Sequence, residues 1–573
     1  MKLIKEFFRK EWKAYVLIIF LLAIVDLSQV IIPIFTKNAI NAVELKEIKS
    51  LLVNSLMILI TGILIVTIRY LYNNLLRFQV LKFDYNLKDL LFHKFLYLKK
   101  EDLQKFEIGD LMARVTNDTM AVRMFLIMGF LGIVDVFMLG FTTFASMFIM
   151  SRRLTLATVW PLIFLIPITL NFGKKIHKTF RKVQMIFAEM TVRVREVIGG
   201  IRVVKAFVRE EYYLGLFKNV NEKYLFENLK LVKLDGFLDP TINFFINFSL
   251  VNLVIFGSIF VIKNSVQIGT VVAFFQYILT LAWPVMAIGF SIALTQRARA
   301  SLGRINEILD ITEPEEERKN YVDLKGDIVI KDLSFSYEDS SRKVLDGVSM
   351  NIRSSELLGI TGLPGSGKTT LIDLLLRIYE PKAGEIYFNG YDITQLQLNV
   401  MRSQITFVPQ EPFLFGDTIL NNLKIGRENA TFEEIQNAAE VAQIHDDILK
   451  FPNGYDTIVG EQGITLSGGE KQRISIARAI LANKSFMVFD DPLSAVDIDT
   501  ERQIIKHLKD FLKENNTTTL LVSQRVSALL AADHIAVFEQ GRVIEYGTPD
   551  ELMEKKGYFY HLYKRQLLEE TEV

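Results

Sequence analysis

Residues Gly362-Leu363-Pro364-Gly365-Ser366-Gly367-Lys368-Thr369 fit G-x-x-x-x-G-K-[ST], a spacing that gathers small residues around one lysine and one hydroxyl. That combination does phosphate chemistry. Glycines let successive backbone N–H groups curl around phosphate oxygens, and the start of a following helix adds a positive dipole. Lys368 reaches the β- and γ-phosphates, and Thr369 offers an oxygen to Mg2+. Pro364 removes one N–H donor from the loop. A chance glycine turn is disfavoured by context, because the apolar run Leu357–Thr361 precedes the loop as a strand and the run Thr370–Ile378 follows it as a helix. Further along, Phe486-Met487-Val488-Phe489 reads as a buried strand that ends in Asp490 and Asp491.

The elements that must position these groups begin at Gly326. The short β-type runs Asp327–Ile330, Leu357–Thr361, Ile405–Val408, Phe486–Phe489, Thr519–Val522 and His534–Phe538 alternate with helical patterns, which predicts a parallel α/β sheet. Upstream the chain is of another kind. Half of the 573 residues are hydrophobic, aromatics reach 11%, and the mean hydropathy is +0.26, values that point to a membrane region. Apolar windows long enough to cross a bilayer run over Tyr15–Phe35, Leu51–Tyr72, Met124–Met150, Leu154–Phe172, Thr241–Ile262 and Val271–Thr295, six spans in all. The long stretches after the second and fourth carry Lys82, Lys88, Lys94, Lys99, Lys100, Lys174, Lys175, Lys178, Arg181 and Lys182, which the positive-inside rule places in the cytoplasm with both termini. Arg152 and Arg153 depart from the rule in the tight third-to-fourth connection, assigned outside because six spans and access to cytoplasmic ATP require it. Residues 1–13 interleave Leu3, Ile4, Phe7, Phe8 and Trp12 with Lys2, Lys5, Arg9 and Lys10, the pattern of a basic amphipathic helix on a membrane surface and not of a cleaved signal peptide.

Lys+Arg (66) and Asp+Glu (65) nearly cancel, so no global field favours a polyanionic partner, and no nucleic acid is expected. The absence of Cys removes disulfides, thiolate metal sites and cysteine nucleophiles. The expected organisation is a multidomain membrane protein: an all-α six-helix transmembrane domain over 1–309, a polar linker over 310–325 and an α/β P-loop nucleotide-binding domain over 326–573.

Between the loop lysine and Asp490 lies Leu466-Ser467-Gly468-Gly469-Glu470-Lys471-Gln472-Arg473, which resembles the signature sequence of ABC transporters. The order of P-loop, signature and an Asp490 that resembles the Walker B aspartate, fused behind six spans, resembles half-size ABC exporters of the multidrug and lipid type over nearly the whole chain. The stretches Phe106–Asp118 and Gly200–Phe207 look like that family's intracellular helical segments. The resemblance implies an ATPase coupled to translocation in the bacterial cytoplasmic membrane, with ATP and Mg2+ bound. It assigns Tyr337 to adenine stacking and Gly362, Gly365, Ser366, Gly367, Lys368, Thr369 and Thr370 to the phosphates. Thr369, Gln410 and Asp490 go to the Mg2+ ion, partly through water, with Gln410 as the Q-loop residue and Asp497 as the D-loop aspartate. It also implies a second half-transporter subunit, since Ser467, Gly468 and Gly469 would serve ATP held by the opposite subunit.

Two positions depart from the family pattern. The residue after the Walker B aspartate is a Glu in active members and is Asp491 here, which retracts the carboxylate by one methylene. The switch His is Gln524, which neither carries charge nor shuttles a proton. Misplacing a catalytic group by about 1 Å can cost on the order of 100-fold in rate. Taken together the two changes resemble the degenerate half of heterodimeric exporters. Asp26, Gln29 and Asp135, ionisable or polar within spans, are the candidates for a substrate pathway, with Asn243, Asn247, Gln276 and Trp283 as further polar or aromatic positions. Interhelical pairing is the structural alternative for them. The aromatic, weakly polar spans suit an amphiphilic or drug-like cargo. A homodimeric exporter with slow hydrolysis and an ATP-gated channel or regulatory subunit are the alternative functions.

Overall fold

The computed structural model describes residues 2–312, 323–337, 342–460 and 466–571. Most of the expected linker, 310–325, lies outside these described residues. The chain divides into two compact units, Met1–Leu98 with Gln104–Thr312 and Lys99–Leu103 with Glu313–Val573.

Among the described residues, six helices of the first unit are long and apolar enough to cross a membrane: Trp12–Glu44, Ile48–Tyr97, Ile108–Met150, Arg152–Gly199, Glu210–Ile262 and Ile268–Leu309. Each contains one of the apolar windows read from the sequence. At 1.5 Å per residue a helix of 50 residues runs to about 75 Å, more than twice the bilayer core of about 30 Å, so the polar extensions must leave the lipid. The helix Ile108–Met150 is α-helical apart from two π-helical segments, Arg114–Asp118 and Phe125–Gly129. The third-to-fourth connection is a single extended residue, Ser151, whose hydroxyl accepts a hydrogen bond from the Leu154 N–H at 3.4 Å. Arg152 lies over the Phe148 ring at 5.5 Å, a cation–π contact that offsets part of the cost of a basic residue there.

Packing inside this unit joins helices remote in sequence. Tyr277, fully buried among Phe274, Met147 and Leu154, donates its hydroxyl to the Val30 carbonyl at 2.8 Å. Gly132 packs against the Ser291 hydroxyl so closely that an added Cβ would stand 2.4 Å from it, the small-residue contact expected between membrane helices. Farther along, Asn41 accepts from the Gly269 N–H at 3.1 Å and donates to Gln267 at 2.7 Å. In the stretch Phe106–Asp118, buried Asp118 accepts from Ser301 at 2.8 Å and from the Arg304 guanidinium, while buried Arg114 reaches Asp110, Glu307 and the Phe106 ring. The amphipathic N-terminal segment is a helix over Lys2–Lys10, but Phe7 packs on Phe83 and Phe8 on Tyr15 and Phe130. Protein therefore covers part of the apolar face expected on a membrane surface, because these aromatic rings gain more from close packing than from contact with acyl chains of equal polarity.

The second unit holds a six-stranded sheet in the order Arg542–Gly547, His534–Glu539, Leu357–Gly362, Thr518–Val522, Phe486–Asp490, Ile405–Val408. Four of its five pairings are parallel, and the fifth, between the edge strand Arg542–Gly547 and His534–Glu539, is antiparallel. The central strands Leu357–Gly362, Phe486–Asp490 and Thr518–Val522 are buried at every position, as strands covered on both faces must be. Burying each apolar side chain such as Phe486 or Phe489 contributes about 1.5–3 kcal/mol. The run Asp327–Ile330, expected in the parallel sheet, belongs elsewhere: the strand Ile328–Phe335 pairs antiparallel with Leu345–Ile352 and Ile386–Phe388 in a separate four-stranded sheet. Its neighbour Leu345–Ile352 alternates buried and exposed residues, the mark of a sheet with one solvated face.

Candidate functional site

Register decides which side chains meet. Ile360 pairs with Val522 and Val522 with Asp490 across three adjacent parallel strands, so all three leave the sheet at one level. That edge receives the loop after Leu357–Gly362, the pair Asp490–Asp491, and the segment Ser523–Arg525. Loops at the carboxyl ends of parallel strands are where open α/β sheets hold ligands.

The loop itself depends on glycine at its two ends. Gly362 has φ +146°, and a Cβ there would lie 2.1 Å from the Phe538 carbonyl oxygen. Gly367, at φ +100°, caps the helix Lys368–Leu375, and a Cβ would come within 2.7 Å of Leu345. Gly365 faces open space. Ser366 is buried, and its carbonyl accepts from the Gly541 N–H at 3.1 Å. The Lys368 ammonium, 9% exposed, folds onto the loop, donating to the Gly362 and Leu363 carbonyls at 2.9 Å each and to the Ser366 hydroxyl at 3.4 Å. Burial lowers its pKa, and the negative potential of Asp490 and Asp491 opposes that shift. A buried ammonium held only by neutral oxygens at hydrogen-bond distance, inside a loop open at Gly365, fits an incoming polyphosphate.

Thr369 donates to the Asp490 carboxylate at 3.3 Å. Burial pushes the Asp490 carboxyl up from its ordinary range; the Thr369 hydrogen bond pulls it down, and Asp491 raises it further. A hydroxyl and a carboxylate side by side are an all-oxygen donor pair suited to Mg2+, which would hold Asp490 ionised. Asp491 follows at φ +46°, a left-handed conformation rare for a residue with a Cβ, and its N–H donates to the Val522 carbonyl at 2.9 Å. Its carboxyl is also raised by burial, against the pull of Arg525 and of the Gln524 backbone amide. Asp491 and Gln524 are therefore brought together, with the Gln524 side chain exposed.

Other predicted residues sit as follows. Tyr337 shares a 2.9 Å hydroxyl hydrogen bond with Thr370 and meets Phe335 and Tyr379 edge to face. Gln410 is exposed, two residues past the strand Ile405–Val408. Ser467 caps the helix Gly468–Ala482: its hydroxyl accepts from the Glu470 N–H at 3.3 Å, and Glu470 accepts from the Ser467 N–H at 2.6 Å. Ser467 and Gly468 are exposed, and Gly469 lies so close to Ala495 that a Cβ would stand 2.9 Å from its carbonyl oxygen. Asp497 caps the next helix, Ile498–Glu514, through the Thr500 N–H at 3.0 Å. In the first unit, Asp26 is buried and lies within electrostatic reach of Asp135, whereas Gln29 is half-buried with no described contact to either.

Three connecting residues were not legible as such. Gln472 donates to the Ser494 hydroxyl and accepts from the Ala495 N–H, both at 2.9 Å, fastening the signature helix to the segment after Asp491. Arg525 donates to the Val496 carbonyl at 2.9 Å and the Ser494 carbonyl at 3.1 Å and pairs with fully buried Glu501. Gln566 bridges the switch segment, donating to the Gln524 carbonyl at 2.7 Å and accepting from the Val526 N–H at 2.8 Å. Gln472 lies inside the signature string and Arg525 directly follows Gln524, but only tertiary contacts reveal what they touch.

Residues 15–285 match the family model described as ABC transporter transmembrane region, and residues 345–494 match that described as ABC transporter. The sequence is similar to a probable multidrug resistance ABC transporter ATP-binding/permease protein of Bacillus subtilis (strain 168), 36% identical with 98% of this chain and 97% of that one covered. It is 33% identical to the multidrug resistance-like ATP-binding protein MdlA of Escherichia coli (strain K12), covering 98% and 96%. An ATP-dependent lipid A-core flippase of Syntrophus aciditrophicus (strain SB) is 32% identical over 82% of this chain and 79% of its own. The fold is similar to that of a bacterial Atm1-family ABC exporter solved with ATP bound, with a TM-score of 0.80 and 23% identity over 97% of this chain and 98% of that chain.

Proposed function

Since the chain belongs to the ABC transporters, as a half-size exporter of the bacterial cytoplasmic membrane that couples ATP hydrolysis to transport, we propose that it works as the impaired-site subunit of a heterodimer. In this reading 1–309 carries the amphiphilic cargo's path, 310–325 links, and 326–573 binds nucleotide. Lys368 and the loop amides hold the phosphates, Thr369 and Asp490 hold Mg2+ with Gln410, and Tyr337 lies against the base. The bound Mg2+ would neutralise phosphate charge. Asp491 is too short to polarise the attacking water well, and Gln524 supplies neither charge nor proton at the γ-phosphate.

The observation that supports this most is the meeting of both departures at one strand edge, with the Gln524 backbone amide against the Asp491 carboxyl. Ser467 and Gly468 are intact and exposed and Gly469 is half-buried against Ala495, so the three would complete the partner's competent site. A partner with Glu after its Walker B aspartate and a switch His is expected. Purifying the chain with its partner and measuring ATPase activity tests this: a pair Asp491→Glu with Gln524→His should raise turnover, and full-rate hydrolysis by this chain alone would instead favour a homodimer.

A further inference from the structure

The helix Tyr558–Thr571 is fixed at its start and reaches the switch segment two turns later. Glu545, on the edge strand Arg542–Gly547, accepts from the Tyr558 N–H at 2.5 Å and from the Phe559 N–H at 3.1 Å. A carboxylate placed there satisfies donors that have no partner within the helix. Phe559 is fully buried, and Leu562 and Tyr563 pack on the same core as Val526 and Leu529. Phe559, Leu562, Tyr563 and Gln566 follow the i, i+3, i+4, i+7 spacing of one helix face, so the face that buries Phe559 also carries Gln566. The core therefore fixes where Gln566 stands.

Its side-chain amide is directed at backbone. It donates to the Gln524 carbonyl at 2.7 Å and accepts from the Val526 N–H at 2.8 Å, the paired donor and acceptor that a neighbouring strand would offer. On the other side the Gln524 backbone amide donates to the Asp491 carboxyl. Both backbone polar groups of Gln524 are thus engaged, and its neighbour is tied as well: the Ser523 N–H donates to the Ile360 carbonyl at 3.0 Å. The Arg525 N–H donates to the Ser523 hydroxyl at 3.0 Å. The Gln524 side chain stays exposed, at the strand edge that also carries the Lys368 loop. A pinned peptide with an exposed amide is an aimed donor. Glutamate at 566 would accept but not donate, and alanine would do neither.

Resting on the reading above, in which Gln524 meets the γ-phosphate, we propose that Gln566 is a positioning residue. It holds the Gln524 peptide so that the side-chain amide donates to the γ-phosphate, which gives this chain's loop a preference for ATP over ADP. An uncharged switch residue offers one hydrogen bond, and that bond counts most when its donor is aimed in advance. The test uses the full transporter with its partner subunit in nanodiscs, photolabelled with azido-ATP in the cold, with labelling of this chain read from its own band while ATP or ADP competes. Gln566→Ala should weaken ATP at this chain's loop about tenfold, the weight of one hydrogen bond to a charged group, and leave ADP unchanged. Gln524→Ala should do the same, and the double variant should be no worse than either alone, because residues that act through one contact are not additive. Gln566→Glu keeps the size of the side chain, so it carries the test if Gln566→Ala does not fold, and it should lose as much. Equal losses of ATP and ADP, additive losses in the double variant, or wild-type ATP affinity in Gln566→Glu would each overturn the proposal and leave a purely structural tie. An unchanged ATP preference in Gln524→Ala would instead overturn the placing of Gln524 at the γ-phosphate.

Discussion

At the start of the helix Gly468–Ala482, Ser467 and Glu470 close a reciprocal capping box and Gln472 fastens the helix to Ser494 and Ala495. At the ends of the central strands, the same quality of scaffolding carries Asp491, held in a left-handed turn, and Gln524, held through its carbonyl by Gln566. Both regions are well built, and they differ only in the groups they present: the first offers exposed N–H donors and a serine, the second a shortened acid and an uncharged amide. On the proposed reading, one edge has lost chemistry without losing its framework, as selection for binding without turnover would leave it. The difference teaches that the two edges serve different nucleotides on the proposed reading, and each can be perturbed separately.

The largest effect should come from the intact edge. Gly469→Val adds bulk where even a Cβ would lie 2.9 Å from the Ala495 carbonyl, and ATPase activity of the heterodimer should fall by about 100-fold. Gln472→Ala cuts both ties to Ser494 and Ala495; losing two hydrogen bonds of about 1 kcal/mol each should lower turnover roughly tenfold with nucleotide affinity at this chain's own loop unchanged. Equal losses of turnover and of binding at that loop would break the distinction between the edges.

On the impaired edge the effects should be smaller. Asp491→Glu with Gln524→His should raise turnover severalfold, read as phosphate release. Asp490→Asn should weaken Mg-ATP binding yet raise the melting temperature of the nucleotide-free protein, by about 2 °C per kcal/mol regained. The sign follows from burial. The folded-state pKa of Asp490 is raised, so its stabilising protonation is complete at low pH and is lost as pH climbs through that value. Nucleotide-free wild type should therefore lose melting temperature from the acid limb toward neutral pH, and Asp490→Asn should flatten that slope. A steeper slope in the variant would show that Asp490 is stabilised in its ionised form.

Much of this was legible in the sequence because the chemistry is local. A phosphate loop needs glycines at fixed offsets from Lys368, and six apolar windows need only length and composition, so both were readable before any tertiary contact was known. The antiparallel placement of Ile328–Phe335 was not, since a short apolar strand carries no sign of its partner's direction. Nor were the ties made by Arg525, Gln472 and Gln566, or the meeting of Asp26, Arg69 and Asp135 across three helices, because which face of a membrane helix points inward is decided by packing. Arg69 in particular lies inside the apolar window Leu51–Tyr72 without a sequence signal of its own, and only the fold sets it within electrostatic reach of two carboxylates.

The asymmetry between the edges is tested most directly by the steady-state ATPase rate of the purified heterodimer carrying Asp491→Ala. Turnover close to wild type, beside its abolition when the partner's acidic residue after Walker B is removed, is the predicted result; abolition in both would contradict it.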